Sequence, residues 1–458
     1  KVCRCRLIYL KNTLGNLFWF LILINKSNMN VLKSLFLILV FISSQQSLSQ
    51  LRIEITGGAE DPINIAVVPI DWRLEFPQEE YLHEIIKTDL ESFGEFKVLP
   101  PKGMLSFPST EEEVFYRDWR LLNVDYLVIG HANKSEIEGE LKISYFIFDI
   151  ARERVIHKAI LSGSIKSIRR VAHKMSDKIY KKIQGISGIF STRLAYIDKP
   201  SEDDKNYNLR ISDIDGFNSI SLFSSPQPIM SPNWSPLGDR MAYVSFEEGT
   251  SRIFIQTIAT GTRLGIKLEK GINSSPNWSP KGDKLAAVLS KEGNPDIFLY
   301  DLKRQRWSQI TEHFGIDTEP DWSPDGKSLL FTSNRSGSPQ IYQVNVRSKR
   351  VKRLTFEGTY NARARYLPDG KSIVFVHRRD SVFHIAIQKI RSGKVRILTD
   401  TFLDESPTIS PNGNVVIYAT KRKDEDILAG ITIDGKTKFI LPSLRGEARE
   451  PAWSPIID

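Results

Sequence analysis

Cysteine is nearly absent from this chain of 458 residues, and the two it has, Cys3 and Cys5, lie at its very start. Residues 50–458 therefore offer no disulfide, no thiolate metal site and no cysteine nucleophile. Other signatures of catalysis are missing too. There is no Gly-x-Ser-x-Gly elbow and no glycine-rich phosphate loop, and the seven histidines are scattered. His83-Glu84 opens a zinc-protease pattern, but Lys87 stands where the second histidine is needed, so the pair reads as an exposed helix position. Asp213-Ile214-Asp215-Gly216 lacks the further acids of a calcium loop and reads as a β-turn. No cofactor and no metal ion is expected.

Charge of one sign is also scarce once the first segment is set aside. The formal net charge is +9, but Lys1, Arg4, Arg6, Lys11, Lys26 and Lys33 precede residue 50 with no acid among them. Subtracting those six leaves about +3 on residues 50–458, too little for a nucleic-acid footprint. What remains is ordinary globular composition, 41% hydrophobic and 26% charged, long enough for two cores.

No apolar run is long enough to span a membrane. Met29-Asn30-Val31-Leu32-Lys33, the apolar stretch Ser34 to Ile42 and a polar tail have the layout of an export signal. A spanning helix needs about 20 apolar residues, so 14–24 and 31–42 are both short for one. Ser47 and Ser49 fit the small positions before a cleavage site, which would leave Gln50 first. The reading is an upstream extension over 1–28, a signal peptide over 29–49, and a mature protein that is not embedded in a membrane.

Residues 50–187 read as a small α/β domain. Ile63 to Ile70 is a buried strand, and Leu82, Ile85, Ile86, Leu90 and Phe93 recur at helical spacing. Thr110-Glu111-Glu112-Glu113 is a capping-box signature that predicts a second helix. Leu141, Ile143, Tyr145 and Ile147 alternate as one face of a strand should. In a last helix, Ile168, Val171, Ala172, Met175, Ile179 and Ile183 form one apolar stripe, with Arg169, Arg170, Lys174, Lys178, Lys181 and Lys182 around it. Those cations read as a solvated face.

The remaining 188–458 carry the strongest signal, an internal repeat. Asn233-Trp234-Ser235-Pro236-Leu237-Gly238, Asn277-Trp278-Ser279-Pro280-Lys281-Gly282 and Asp321-Trp322-Ser323-Pro324-Asp325-Gly326 are followed by weaker copies around Tyr366, Ile409 and Trp453. The spacings are 44, 44, 44, 43 and 44 residues. Such a period, with four strands per repeat, predicts an all-β six-bladed β-propeller. The last copy has only its opening strand, and 193–223 supply later strands without an opening. Ring closure is therefore expected between 193–223 and 449–454, which would pair edges an open array leaves free. The serine beside each proline reads as a turn residue.

Several stretches, in order, resemble the TolB family, periplasmic propellers of the Tol-Pal system in Gram-negative bacteria. They are Ile65-Ala66-Val67-Val68-Pro69, Arg169 to Lys174, Gly188 to Tyr196, Ser225 to Pro232 and Thr401-Phe402-Leu403-Asp404-Glu405-Ser406-Pro407. The resemblance covers about 50–458, and 1–28 have no counterpart in it. It implies a monomeric, non-enzymatic docking protein that binds the lipoprotein Pal on one propeller face and TolA through the mature N-terminus. Carried over, the Pal surface falls on Asn273, Ser274, Ser275, Thr318 and Glu319, and the TolA segment on Gln50, Leu51, Arg52 and Ile53. Ile272 departs from the family, since some members carry histidine there. The alternative is a propeller hydrolase with an active site at the channel mouth.

Overall fold

The computed structural model describes residues 61–199, 205–422, 425–441 and 447–457, together with the backbone of 54–57. The extension 1–28, the signal segment 29–49 and Gln50, Leu51, Arg52 and Ile53 lie outside the described residues. Among the described residues no helix is long and apolar enough to cross a membrane.

After β1 (Glu54–Gly57), the chain forms β2 (Ile63–Val67), β3 (Asp71–Trp72), α1 (Leu82–Glu91), β4 (Phe96–Leu99), α2 (Tyr116–Leu121), β5 (Tyr126–Lys134), β6 (Glu140–Asp149), β7 (Arg154–Ser164) and α3 (Ile168–Gln184). The sheet has the order β4-β2-β5-β6-β7, with β2 parallel to β4 and β5, the short β3 also parallel to β5, and β5-β6-β7 antiparallel. The alternation in β6 buries Leu141, Ile143, Tyr145 and Ile147 against α1 and α3, while Phe148 on the other face meets Trp119 of α2. The capping box is present, but it opens only a single 3-10 turn over Glu111–Glu113. The α-helix starts later, at Tyr116. Gly185 ends α3 in the left-handed region, φ 79°, donating its N–H to the Lys181 carbonyl at 3.0 Å.

The propeller has six blades. Their first strands are Ala448–Trp453 in blade 1, Ile229–Trp234 in blade 2, Asn273–Trp278 in blade 3, Asp317–Trp322 in blade 4, Asn361–Tyr366 in blade 5 and Glu405–Ile409 in blade 6. Each touches its two neighbours, so the six encircle a central channel. Blade 1 draws its inner strand from the chain's end: Ala448–Trp453 pairs antiparallel with Arg193–Asp198, followed outward by Tyr207–Asp213 and Ile220–Ser225.

The repeated dipeptide joins neighbouring blades. Asn233 Oδ1 accepts the backbone N–H of Trp278 at 2.9 Å. Asn277 does the same for Trp322 at 3.2 Å, Asp321 for Tyr366 at 2.9 Å and Thr408 for Trp453 at 3.0 Å. Four of the six repeats thus place an acceptor side chain at this position, the exceptions being Arg365 and Ala452. Two of the tryptophans reach the opposite way. The Trp234 indole donates to the Ala452 carbonyl at 2.9 Å, and that of Trp322 to the Asn277 carbonyl at 3.2 Å. The serine after the aromatic closes its turn: Ser235 Oγ accepts the Arg240 N–H at 2.9 Å, and Gly238 sits at φ 69°.

Blade 6 carries a fifth strand. Residues 54–57, which the sequence assigns to the N-terminal domain, pair as β1 with Lys438–Leu441 at the outer edge of blade 6. Strand addition of this kind needs only backbone groups, so no side-chain pattern announces it. The N-terminal domain also shares a core with the propeller. Phe93 stacks on Phe190 at 5.6 Å and meets Phe439 at 5.5 Å.

Candidate docking face at the channel mouth

Antiparallel blades expose two different faces. The turns that begin with the Trp-Ser-Pro sequence lie on the face that meets the N-terminal domain, where Asn412 Nδ2 donates to the Ser187 carbonyl at 2.9 Å. Loops leading into the first strands lie on the other face. That free face shows large apolar side chains that the fold leaves uncovered: Ile272, Phe314, Ile316, Phe356, Phe402 and Leu403, with Phe314 85% exposed. Clustered exposure of this kind marks interaction surfaces.

Each first strand also carries a bulge close to that face. The register shifts at Met230/Asn233, Ser274/Asn277, Thr318/Asp321, Ala362/Arg365, Glu405/Thr408 and Arg449/Ala452. Every bulge holds one non-glycine residue in the left-handed region: Ser231, Ser275, Glu319, Arg363, Ser406 and Glu450, at φ 50–57°. Six such residues at one level turn six side chains into the channel, and together they line a narrow cavity of about 60 Å³.

The ring is charged and internally paired. Arg363 Nε donates to Glu319 Oε1 at 2.8 Å, its other nitrogens meet Ser406 Oγ and Glu450, and its backbone N–H donates to Glu319 Oε2 at 2.9 Å. Burial works against the guanidinium charge, but Glu319, Glu450 and Glu405 outweigh it and raise its pKa. Arg363 thus bridges half of the mouth. Its role was not legible in the sequence, because the ring positions vary among serine, glutamate and arginine with no local motif to mark them.

The carried-over positions divide. Ser275 and Glu319 belong to the ring, and Ser274 and Thr318 are half-buried beside it. Asn273 is a correction: it is 2% exposed, so it offers no surface. Its side chain accepts from the Glu269 N–H at 3.1 Å and donates to the carbonyls of Glu269 and Gly271, fixing the loop that displays Ile272. Gln50, Leu51, Arg52 and Ile53 lie outside the described residues, just before β1.

Away from the mouth, a buried ion network joins the domains. His173 Nδ1 on α3 meets Asp89 Oδ2 on α1 at 2.9 Å, and its Nε2 lies 3.4 Å from Asp215 Oδ2 in a blade 1 turn. Arg169 binds that same Asp215 oxygen and Glu80, and packs on the Phe217 ring at 3.4 Å. Burial would lower the His173 pKa, but the charge and hydrogen bond of Asp89, with Asp215, lift it to about 9. Asp89, His173 and Asp215 are close enough to share an ion. Two cationic side chains already balance the two aspartates, so the donor set fits a salt-bridge network better than a metal centre. This corrects two expectations. Arg169 is not on a solvated face, unlike the exposed Arg170, Lys178, Lys181 and Lys182. His83 is likewise mostly covered, its side chain 12% exposed.

Residues 180–457 match the family described as TolB beta propeller domain, and 51–156 the TolB amino-terminal domain. The chain belongs to the TolB family. A Tol-Pal system protein TolB from a Marinomonas species is 58% identical over 93% of this chain and 98% of its own length. Another from Pseudomonas syringae pv. syringae is 50% identical over 94% of this chain and its own full length. The crystal structure of TolB from Acinetobacter baumannii aligns with a TM-score of 0.81 at 38% identity, covering 89% of this chain and all of that one. Membership of the TolB family assigns the chain to the Tol-Pal system.

Proposed function

We propose that this chain is the periplasmic docking component of its Tol-Pal system, exported by a cleaved signal peptide and without catalytic activity. It binds Pal on the free channel-mouth face and TolA through the mature N-terminus, supporting outer-membrane integrity and invagination at division. The observation that carries this reading is the asymmetry of the two faces: one is occupied by the N-terminal domain, and the other displays a preorganised polar ring among uncovered apolar side chains. That combination, an apolar patch with fixed polar groups, is how protein interfaces are built. The small mature charge speaks for a protein partner over nucleic acid.

The N-terminus supports the second half. β1 pairs with an edge strand of blade 6, and a strand added at an edge can leave without unpairing the strands within the blade. Residues 50–53, directly ahead of it, would be the part TolA captures. A segment docked in one state and released in another would couple the two binding events.

Titration of the mature protein with Pal and TolA from the same organism tests both. Ser275→Arg places a bulky cation in the ring and should weaken Pal at least about tenfold. Deleting 50–53 should abolish TolA capture while leaving Pal affinity within a few-fold. Unchanged Pal binding in the first variant, or unchanged TolA binding in the second, contradicts the corresponding half.

A further inference from the structure

Between blades 5 and 6, beside the ring, a cavity of about 410 Å³ opens on the mouth face. Tyr360, Val376 and Phe383 wall it on the blade 5 side, and Leu403 and Ala419 on the blade 6 side. Glu405 and Lys421 stand in its lining. Leu403 is unusual on two counts. It is a bulky side chain in the left-handed region, φ 60°, and it is 46% exposed. A strained backbone that turns leucine outward contributes little to a core.

The loop is nevertheless held firmly. Asp404, buried beneath it, accepts hydrogen bonds from Thr401 Oγ1 at 2.7 Å and Thr420 Oγ1 at 2.7 Å, and also from Thr399. Its N–H donates to the Phe383 carbonyl at 3.2 Å, tying the two blades together. Strain that the surroundings over-determine in this way is typical of ligand clamps. The pocket is continuous with the ring, since Arg363 and Glu319 line both. Its walls combine an apolar, partly aromatic side with a charged side that includes Arg363, Lys421, Asp426 and Arg449. Glu405 in the lining brings an acceptor to which no described side chain donates.

We propose that this pocket receives one aromatic side chain bearing a hydrogen-bond donor, from the protein that docks on the mouth face, with the donor meeting Glu405. An aromatic anchor in a preformed pocket is the usual form of an interface hot spot. Of the carried-over positions on blades 3 and 4, Glu319 alone reaches the pocket's lining. This role for the pocket rests on the reading that Pal docks on this face.

The test uses the full mature protein, with N-acetyl-tyrosinamide as probe in ligand-detected NMR and Pal as competitor. Wild type should show saturable transfer to the probe, removed by Pal. Leu403→Gly should abolish the transfer and weaken Pal about tenfold, with a melting temperature equal to or above wild type, because glycine accepts the positive φ. Probe binding without any Pal binding would sustain the pocket and sink the docking reading. Pal bound equally by wild type and Leu403→Gly, with no probe signal in either, would overturn the proposal.

Discussion

At the scale of single residues, the buried histidine has the clearest thermodynamic consequence. The His173 pKa rises from 6.5 in the unfolded chain to about 9 in the fold, so folding is coupled to proton uptake. The stabilisation is complete below the unfolded value and is lost as pH rises through the folded one. Its size is on the order of 3 kcal/mol. The melting temperature should therefore fall between pH 7 and 9.5, as read by thermal unfolding across that range. His173→Gln should melt lower at pH 7 and lose that slope, because Asp89 remains buried without its cation while Asp215 keeps Arg169. None of this was legible in the sequence. Asp89, His173 and Asp215 are 84 and 42 positions apart, and Asp215 sits in a turn that looks complete by itself. Only the docking of two domains makes one histidine serve both aspartates.

At the scale of elements, the repeat was the most readable feature because its physics is local. Proline and glycine set the turn, serine closes it in most blades, and the period returns a large apolar residue, aromatic in all but blade 6, to the same place. The acceptor that four of the repeats carry at the preceding position has a measurable part in this. Asn277→Ala would leave the Trp322 N–H without its acceptor in the blade interface, at a cost of about 1–3 kcal/mol. Equilibrium denaturation should show that loss, and a variant as stable as wild type would mean the link is redundant. Helix α3 was equally legible in its apolar stripe, but not in its cations, since Arg169 differs from Arg170 only by which side of the helix meets blade 1. The helix expected from the capping box shrank to one turn because Val114 and Phe115 are extended before Tyr116 begins the helix. The β1 addition to blade 6 left no trace in the side-chain pattern.

At the scale of the whole molecule, the closed ring fixes which surfaces are available. Its end strand completes blade 1, so removing residues 447–458 should expose the edge of Arg193–Asp198 and drive association, visible as higher-mass species in size-exclusion chromatography. With one face occupied by the N-terminal domain, the mouth remains for a partner, and its ring of strained residues, its apolar loops and its side pocket converge there. Hydrogen–deuterium exchange of the mature protein with and without Pal tests this most directly. Protection should concentrate on 268–275, 312–319, 356–363 and 401–406. Protection confined to the Trp-Ser-Pro turns or the N-terminal domain would contradict the account.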